Sequence, residues 1–265
     1  MEIVKTKLNH TNSKSKAELI SYISPNLTDQ KSPSLIFVPG GSYTHIDLAQ
    51  AEKVALRLES FGYQVSVLRY SLVDEVQPLY PAPLIELAEA MNITHQNAEK
   101  WQIDANQIIL MGFSVGGHIV SNFNNNWNAD WLSSQTHLAS TTLQPFATIL
   151  GFPVITPNDG FPDTKTLAKW TTQPQQLAAD QNATKDNAPT FIWATADDQL
   201  VPSQNAVDYF LALQTLQVPT ELHLYQHGPH GMALADETTA YDNHHVDHRI
   251  ATWLTTALAW LHELK

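Results

Sequence analysis

Gln107-Ile108-Ile109-Leu110-Met111-Gly112-Phe113-Ser114-Val115-Gly116-Gly117-His118-Ile119-Val120 is the stretch on which the reading of this chain turns. It opens on a short apolar run, Gln107–Met111, of the kind a strand buried on both faces of a parallel sheet requires. From Gly117 onward it reads as the start of a helix. Between the two stands Gly112-Phe113-Ser114-Val115-Gly116, a G-x-S-x-G pattern in the strand–turn–helix setting that gives the pattern meaning. A serine there is held in a tight, strained turn at the carboxyl end of the sheet, with helix N-terminal amides beside it. The flanking glycines let helix pack close on strand, where a Cβ would clash. Bare G-x-S-x-G also arises by chance, so the rest of the chain has to supply the partners a nucleophilic serine needs.

Outward from this motif, strand-like runs alternate with helical patterns. The runs are Ser34–Val38, Gln64–Arg69, Gln107–Met111, Phe146–Phe152, Thr190–Ala194 and Thr220–Tyr225. The helical patterns are Leu48–Ser60, Pro83–Lys100, Ser114–Asn122, Ser203–Leu216 and Asp247–Leu264. This alternation predicts an α/β fold with a parallel, doubly wound sheet covered by helices on both faces. Two further segments, Glu2–Leu8 and Glu18–Ile23, flank the polar turn Asn9–Lys16 and read as an antiparallel pair. The stretch 124–189 is rich in Asn, Gln, Thr and Pro, with one strong strand inside it. It is read as a cap or lid excursion within a single domain spanning 1–265.

The chain has 265 residues, 43% hydrophobic and 15% charged, which fits a globular core and not a disordered chain. Its net charge of -12 disfavours nucleic acid and anionic membranes, which need a basic footprint. With no cysteine, disulfides, thiolate metal sites and Cys nucleophiles are excluded. No apolar run approaches the ~20 residues of a membrane span, and Met1–Lys7 lacks the apolar core of a signal peptide. A soluble, cytoplasmic protein is expected. His244, His245, Asp247 and His248 lie close in sequence but lack the usual zinc spacings, so no metal is expected there. No cofactor is signalled.

A nucleophilic serine requires a base, an orienting acid and an oxyanion site. The run Thr190–Ala194 leads into Thr195-Ala196-Asp197-Asp198-Gln199-Leu200-Val201-Pro202, which puts two carboxylates at the same sheet edge as Ser114. After the last run comes Tyr225-Gln226-His227-Gly228-Pro229-His230-Gly231, a Gly/Pro-rich loop with two histidines. Upstream, Ser34–Val38 ends in Pro39-Gly40-Gly41-Ser42-Tyr43, a loop that can aim backbone N–H groups at a developing oxyanion. Four strand ends thus offer the four parts in the chain order Ser, Asp, His.

These stretches, with Gly62–Tyr70 and Trp101–Asp104, resemble the α/β-hydrolases from Ser34 to the C-terminus. Within that fold the chain is similar to bacterial short-chain carboxylesterases and acetyl(xylan) esterases related to hormone-sensitive lipase. The resemblance implies an α/β-hydrolase fold with a mostly parallel eight-stranded sheet, flanking helices and a small cap. It implies Ser114 as nucleophile, Asp198 (directly before x-x-Val-Pro) as orienting acid and His230 (in the Gly-Pro-His-Gly slot) as general base. Oxyanion donors would be the backbone N–H groups of Gly41, Val115 and Ser42. Pro39 and Ser42 depart from the family's His-Gly-Gly-Gly form, with Pro39 in place of the His and Ser42 in place of the third Gly.

The expected activity is hydrolysis of short-acyl esters of small alcohols or sugars through an acyl-enzyme. A serine peptidase or amidase on the same fold, and a non-catalytic binding protein, are the alternatives. Tyr43, Phe152 and Val201 sit at strand ends near the catalytic edge and are expected to narrow the acyl site. Trp127 and Trp131 lie in the cap stretch, where they line either a substrate pocket or a small satellite core. The partner expected is a small-molecule ester. If the chain forms a homo-oligomer, the C-terminal helix or the N-terminal strands are the surfaces expected to mediate it.

Overall fold

The computed structural model describes residues 1–8, 14–157 and 159–264. In chain order the regular elements begin with β1 (Glu2–Lys7), β2 (Glu18–Ile23), β3 (Ser32–Val38), α1 (Leu48–Glu59), β4 (Gln64–Arg69) and α2 (Ala82–Gln96). The centre of the chain holds β5 (Ile103–Phe113), α3 (Val115–Asn126), α4 (Asp130–Thr136), α5 (Ser140–Leu143), β6 (Ala147–Gly151) and α6 (Thr164–Trp170). It ends with β7 (Thr190–Thr195), α7 (Gln204–Thr215), β8 (Thr220–Tyr225) and α8 (Thr252–Glu263). The turn expected between β1 and β2 falls mostly on 9–13, outside the described residues.

All eight strands join one sheet in the order β1-β2-β4-β3-β5-β6-β7-β8. β1 and β2, and β2 and β4, pair antiparallel, while every pair from β4 to β8 is parallel. The alternation of side chains along each strand divides the core in two. Ile36, Val38, Ile108 and Leu110 pack with Leu87 of α2, Phe123 of α3 and Tyr209 of α7. Leu35, Phe37, Ile109 and Met111 face the other way, against Val54 of α1 and Trp253 and Leu254 of α8. Leu35, Ile36 and Leu110 are fully buried, so truncating any of them to Ala costs about 2–5 kcal/mol. The C-terminal helix therefore lays its apolar face on the sheet of its own chain.

Boundaries shift where local chemistry overrides pattern. β5 begins at Ile103, four residues before the apolar run, because Ser32 pairs with Ile103 ahead of a register shift. The last helix starts at Thr252 and not at Asp247, whose carboxylate instead accepts from the Arg249 and Ile250 amides at 2.8 and 3.1 Å and shapes the turn before it. α3 runs on to Asn126 through an Asn-rich half with a clear task. Asn124 holds the Ala188 amide at 2.8 Å, and Asn125 donates to the Ala179 carbonyl at 2.8 Å. Buried carboxamides thus satisfy the irregular backbone of the 177–188 segment, where secondary structure does not. The 124–189 stretch contains α4, α5, β6 and α6 and is tied to α3 by these bonds.

Among the described residues no helix is long and apolar enough to cross a membrane.

Candidate active site

β5 delivers Ser114 to the carboxyl edge, and α3 starts on the next residue. Ser114 has φ 53 and ψ −121, outside the regions an L-residue ordinarily occupies. Neighbours hold it there. The Ser114 amide donates to the Gly151 carbonyl at 3.0 Å, and the Ser114 carbonyl accepts from Val154 at 3.1 Å and His118 at 3.2 Å. The glycines around it have no room for a side chain: a Cβ on Gly112 would stand 2.3 Å from the Gly116 carbonyl oxygen, and one on Gly116 would stand 2.0 Å from that of Val38.

Three side chains meet in a line. His230 Nε2 lies 2.8 Å from Ser114 Oγ, and His230 Nδ1 lies 2.7 Å from Asp198 Oδ2. The Asp198 carboxyl is 1% exposed and His230 14% exposed, so the Asp–His contact is shielded from water while the serine end opens on a cleft. The other carboxylate oxygen, Oδ1, accepts from the Leu200 and Val201 amides at 2.8 and 3.0 Å. Those bonds fix the carboxylate plane. With Nδ1 bound to the carboxylate, the His230 proton sits on Nδ1 and Nε2 is free to accept the serine proton.

Asp197 and His227 form a separate, exposed pair at 2.9 Å, and Asp197 also accepts from the Gly228 amide at 2.8 Å. The His227 bond, followed by the Gly228 bond, holds the Asp197 carboxyl below the usual carboxylate range.

Facing Ser114 is the loop after β3. Gly41, Ser42 and Tyr43 all have positive φ, at 131, 55 and 59. This reversal wraps the loop into a turn in which the Thr44 and His45 amides close on the Gly41 carbonyl at 2.9 and 3.1 Å. The Tyr70 hydroxyl braces it from below through the Pro39 carbonyl at 2.9 Å. Val115, the first residue of α3, has an amide with no intrahelical acceptor by its position. Gly41 and Ser42, the other two residues expected to offer oxyanion donors, line the cleft in front of Ser114.

The cleft, about 240 Å³, is lined by Phe152, Leu200 and Ala233 and by His45, Asp47 and Tyr241. The Phe152 ring stands edge-on to His230, centroids 4.9 Å apart. Of the three residues expected to narrow the acyl site, Phe152 lines this cleft, and Tyr43 and Val201 are not among its lining residues. Tyr43 turns inward because of its positive φ. It is fully buried, its hydroxyl 2.7 Å from that of Tyr80, 2.9 Å from His118 Nδ1 and 3.1 Å from the Val115 carbonyl. Val201 is 3% exposed and packs in the core on the α2–α3 side, leaving its predecessor Leu200 at the cleft.

His45, Asp47, Gln50 and Tyr241 went unnoticed in the sequence. Asp47 caps α1 through the Ala49 and Gln50 amides and accepts from the Tyr241 hydroxyl at 3.1 Å. The Gln50 bond, with Tyr241 assisting, keeps its carboxyl below the usual range, while burial first and Asp47 second push the Tyr241 phenol up to about 12. An Asp before an apolar helix signals a cap. Nothing in the sequence around Tyr241 signals a cleft.

Elsewhere, Trp127 lies by a separate surface depression with its indole donating to the Asp186 carbonyl at 2.9 Å, and Trp131 lines a second cavity; neither reaches the cleft. Among the described residues no three His, Asp or Glu side chains converge as metal ligands. His245 instead pairs with Asp242 at 2.8 Å.

The model of the prolyl oligopeptidase family matches residues 86–260, and the BD-FAE family model matches residues 21–149. The fold superposes on a carboxylesterase from Lactobacillus plantarum with a TM-score of 0.92, at 32% identity over 99% of this chain and 98% of that one. The chain belongs to the carboxylesterases of the α/β-hydrolase fold. It is also 27% identical over 79% of its length to endo-1,4-beta-xylanase B of Butyrivibrio fibrisolvens, and 23% identical over 82% to the acetylxylan esterase of Xylanibacter ruminicola. The chain spans only 34% and 44% of the lengths of those two curated relatives.

Proposed function

We propose that this esterase hydrolyses short-acyl, acetyl-like esters of small neutral alcohols or sugars through an acyl-enzyme on Ser114. The observation that carries the reading is the aligned contact Asp198–His230–Ser114, at 2.7 and 2.8 Å, with the serine in a strained turn at a helix start. His230 Nε2 takes the proton as Ser114 Oγ attacks the ester carbonyl. The oxyanion forms within reach of the Val115 and Gly41 amides, with Ser42 as a further donor. His230 then gives its proton to the leaving alcohol, and water, activated by the same nitrogen, releases the acid. Asp198 orients the ring and stabilises its cationic form.

The small cleft and the Phe152 ring beside His230 support a short acyl group. His45, Asp47, Gln50 and Tyr241 offer hydrogen bonds suited to a hydroxylated alcohol, and the likeness to an acetylxylan esterase agrees with that class. The match to the prolyl oligopeptidase family favours amide cleavage as the second reading. Initial rates on p-nitrophenyl acetate through octanoate, acetylated xylose and a peptide amide, with Ser114→Ala as control, separate the two. Serine-dependent turnover highest on acetate supports the proposal; turnover on the amide alone overturns it.

A further inference from the structure

A cavity of about 780 Å³, roughly three times the catalytic cleft, lies between the start of α2, the C-terminal half of α3, the start of α4 and the 171–184 segment. It shares no lining residue with the cleft. Its volume falls within the roughly 300–1,000 Å³ of small-ligand sites. Its chemistry is distinctive in a chain with 26 acidic and 14 basic residues: none of the side chains that line it is charged.

Trp131 is its aromatic wall. The indole N–H donates to Asn126 Oδ1 at 3.0 Å, which sets the ring's orientation, and Asn126 is itself held by a bond to the Asn122 carbonyl at 2.8 Å. Trp131 is 37% exposed, so its apolar surface is available to a ligand without cost to the core. Carboxamides share the lining. Gln173 and Gln176 are exposed, and their side chains make no hydrogen bond among the described residues. Asn182 commits its NH₂ to the Gln175 and Ala178 carbonyls, both at 2.8 Å, which leaves its oxygen as an acceptor. Asn122, 1% exposed, also belongs to the lining. Its NH₂ donates to the His118 and Leu177 carbonyls, and its Oδ1 has no partner among the described residues.

An anionic or cationic ligand would be desolvated here against no opposite charge. A purely apolar one would leave the carboxamides unpaired. A rigid aromatic surface in the same cavity as planar groups that together offer donors, from Gln173 and Gln176, and acceptors, from these and Asn182, suits a ring with an apolar C–H face and a rim of hydroxyls. We propose that this cavity binds a neutral saccharide at a site separate from the catalytic serine.

Calorimetric titration tests this on the full chain, using unacetylated xylotetraose and, as a charged counterpart, tetragalacturonate, with wild type, Trp131→Ala and Gln176→Ala. Neither residue is near the triad, so p-nitrophenyl acetate rates report that each variant is folded, and the binding result stands whatever ester the enzyme prefers. The proposal expects xylotetraose to bind the wild type and to bind both variants about tenfold or more weakly. It is overturned by no binding at about 10 mM, by affinity unchanged in both variants, or by equal binding of tetragalacturonate.

Discussion

The Tyr43 hydroxyl lies 3.1 Å from the Val115 carbonyl oxygen, tying the loop that carries Gly41 and Ser42 to the helix start that carries the opposing amide. One side chain thereby spans the two segments on which the proposed oxyanion donors sit. Tyr80 and His118 brace it, since both approach the same site, with Tyr80 and Tyr43 each 2.9 Å from His118 Nδ1.

Tyr43→Phe removes that link and keeps the ring. A neutral hydrogen bond contributes about 1 kcal/mol, so kcat should fall several-fold with KM little changed, because the loss is felt where charge develops on the oxyanion. Steady-state kinetics on p-nitrophenyl acetate check the split. A purely structural role would lower melting temperature and leave kcat alone.

The two adjacent carboxylates make a sharper contrast. Asp198→Asn keeps the shape but loses the negative partner and the tautomer of His230, and kcat should drop by about 10⁴-fold. Asp197→Asn breaks only an exposed pair with His227 and should leave kcat within about threefold. Parallel rate measurements on the two variants decide which carboxylate serves the histidine.

Burial pushes His118 down to about 4 from its ordinary 6.5, with its Nε2 bound to the Leu177 carbonyl at 3.0 Å. The neutral form is the folded one, so the unfolded chain takes up the proton first as pH falls. Stability from this group is full above pH 6.5 and is lost progressively as pH drops through 4, a loss on the order of 3 kcal/mol. Urea unfolding across that window, compared with His118→Gln, should show the wild type losing more. An NMR titration of the His118 ring, unchanged until near pH 4, checks the same point in the wild type.

Phe152 closes the cleft beside His230, and Phe152→Ala opens it toward Phe113 and Trp193. The octanoate-to-acetate rate ratio should rise by about tenfold, at a stability cost of about 3 kcal/mol. An unchanged ratio removes Phe152 as the acyl limit.

The alternation of apolar runs with helical periods made the sheet and its flanking helices legible, because strand burial on both faces and helix amphipathicity leave different periods in the sequence. The Ser114 turn was legible because only glycines tolerate the contacts around it. Tyr43 was not. Three successive positive-φ residues reverse the direction of its side chain, and nothing in Gly40-Gly41-Ser42-Tyr43 announces that run beyond its first glycines. Val201 escaped for a related reason. Its amide is drawn to Asp198, which turns Leu200 to the cleft and Val201 to the core. Tyr241 and Trp131 reach their cavities through contacts with residues far off in the chain or across a loop, which local pattern does not encode.

The most direct measurement is mass spectrometry of the enzyme quenched during turnover of p-nitrophenyl acetate, in wild type and His230→Ala. The account predicts a single added acetyl group on the peptide containing Ser114 in the wild type, and its absence in the variant. Turnover with no acetylated intermediate, or acetylation on any other residue, would contradict the assignment of Ser114 as the nucleophile.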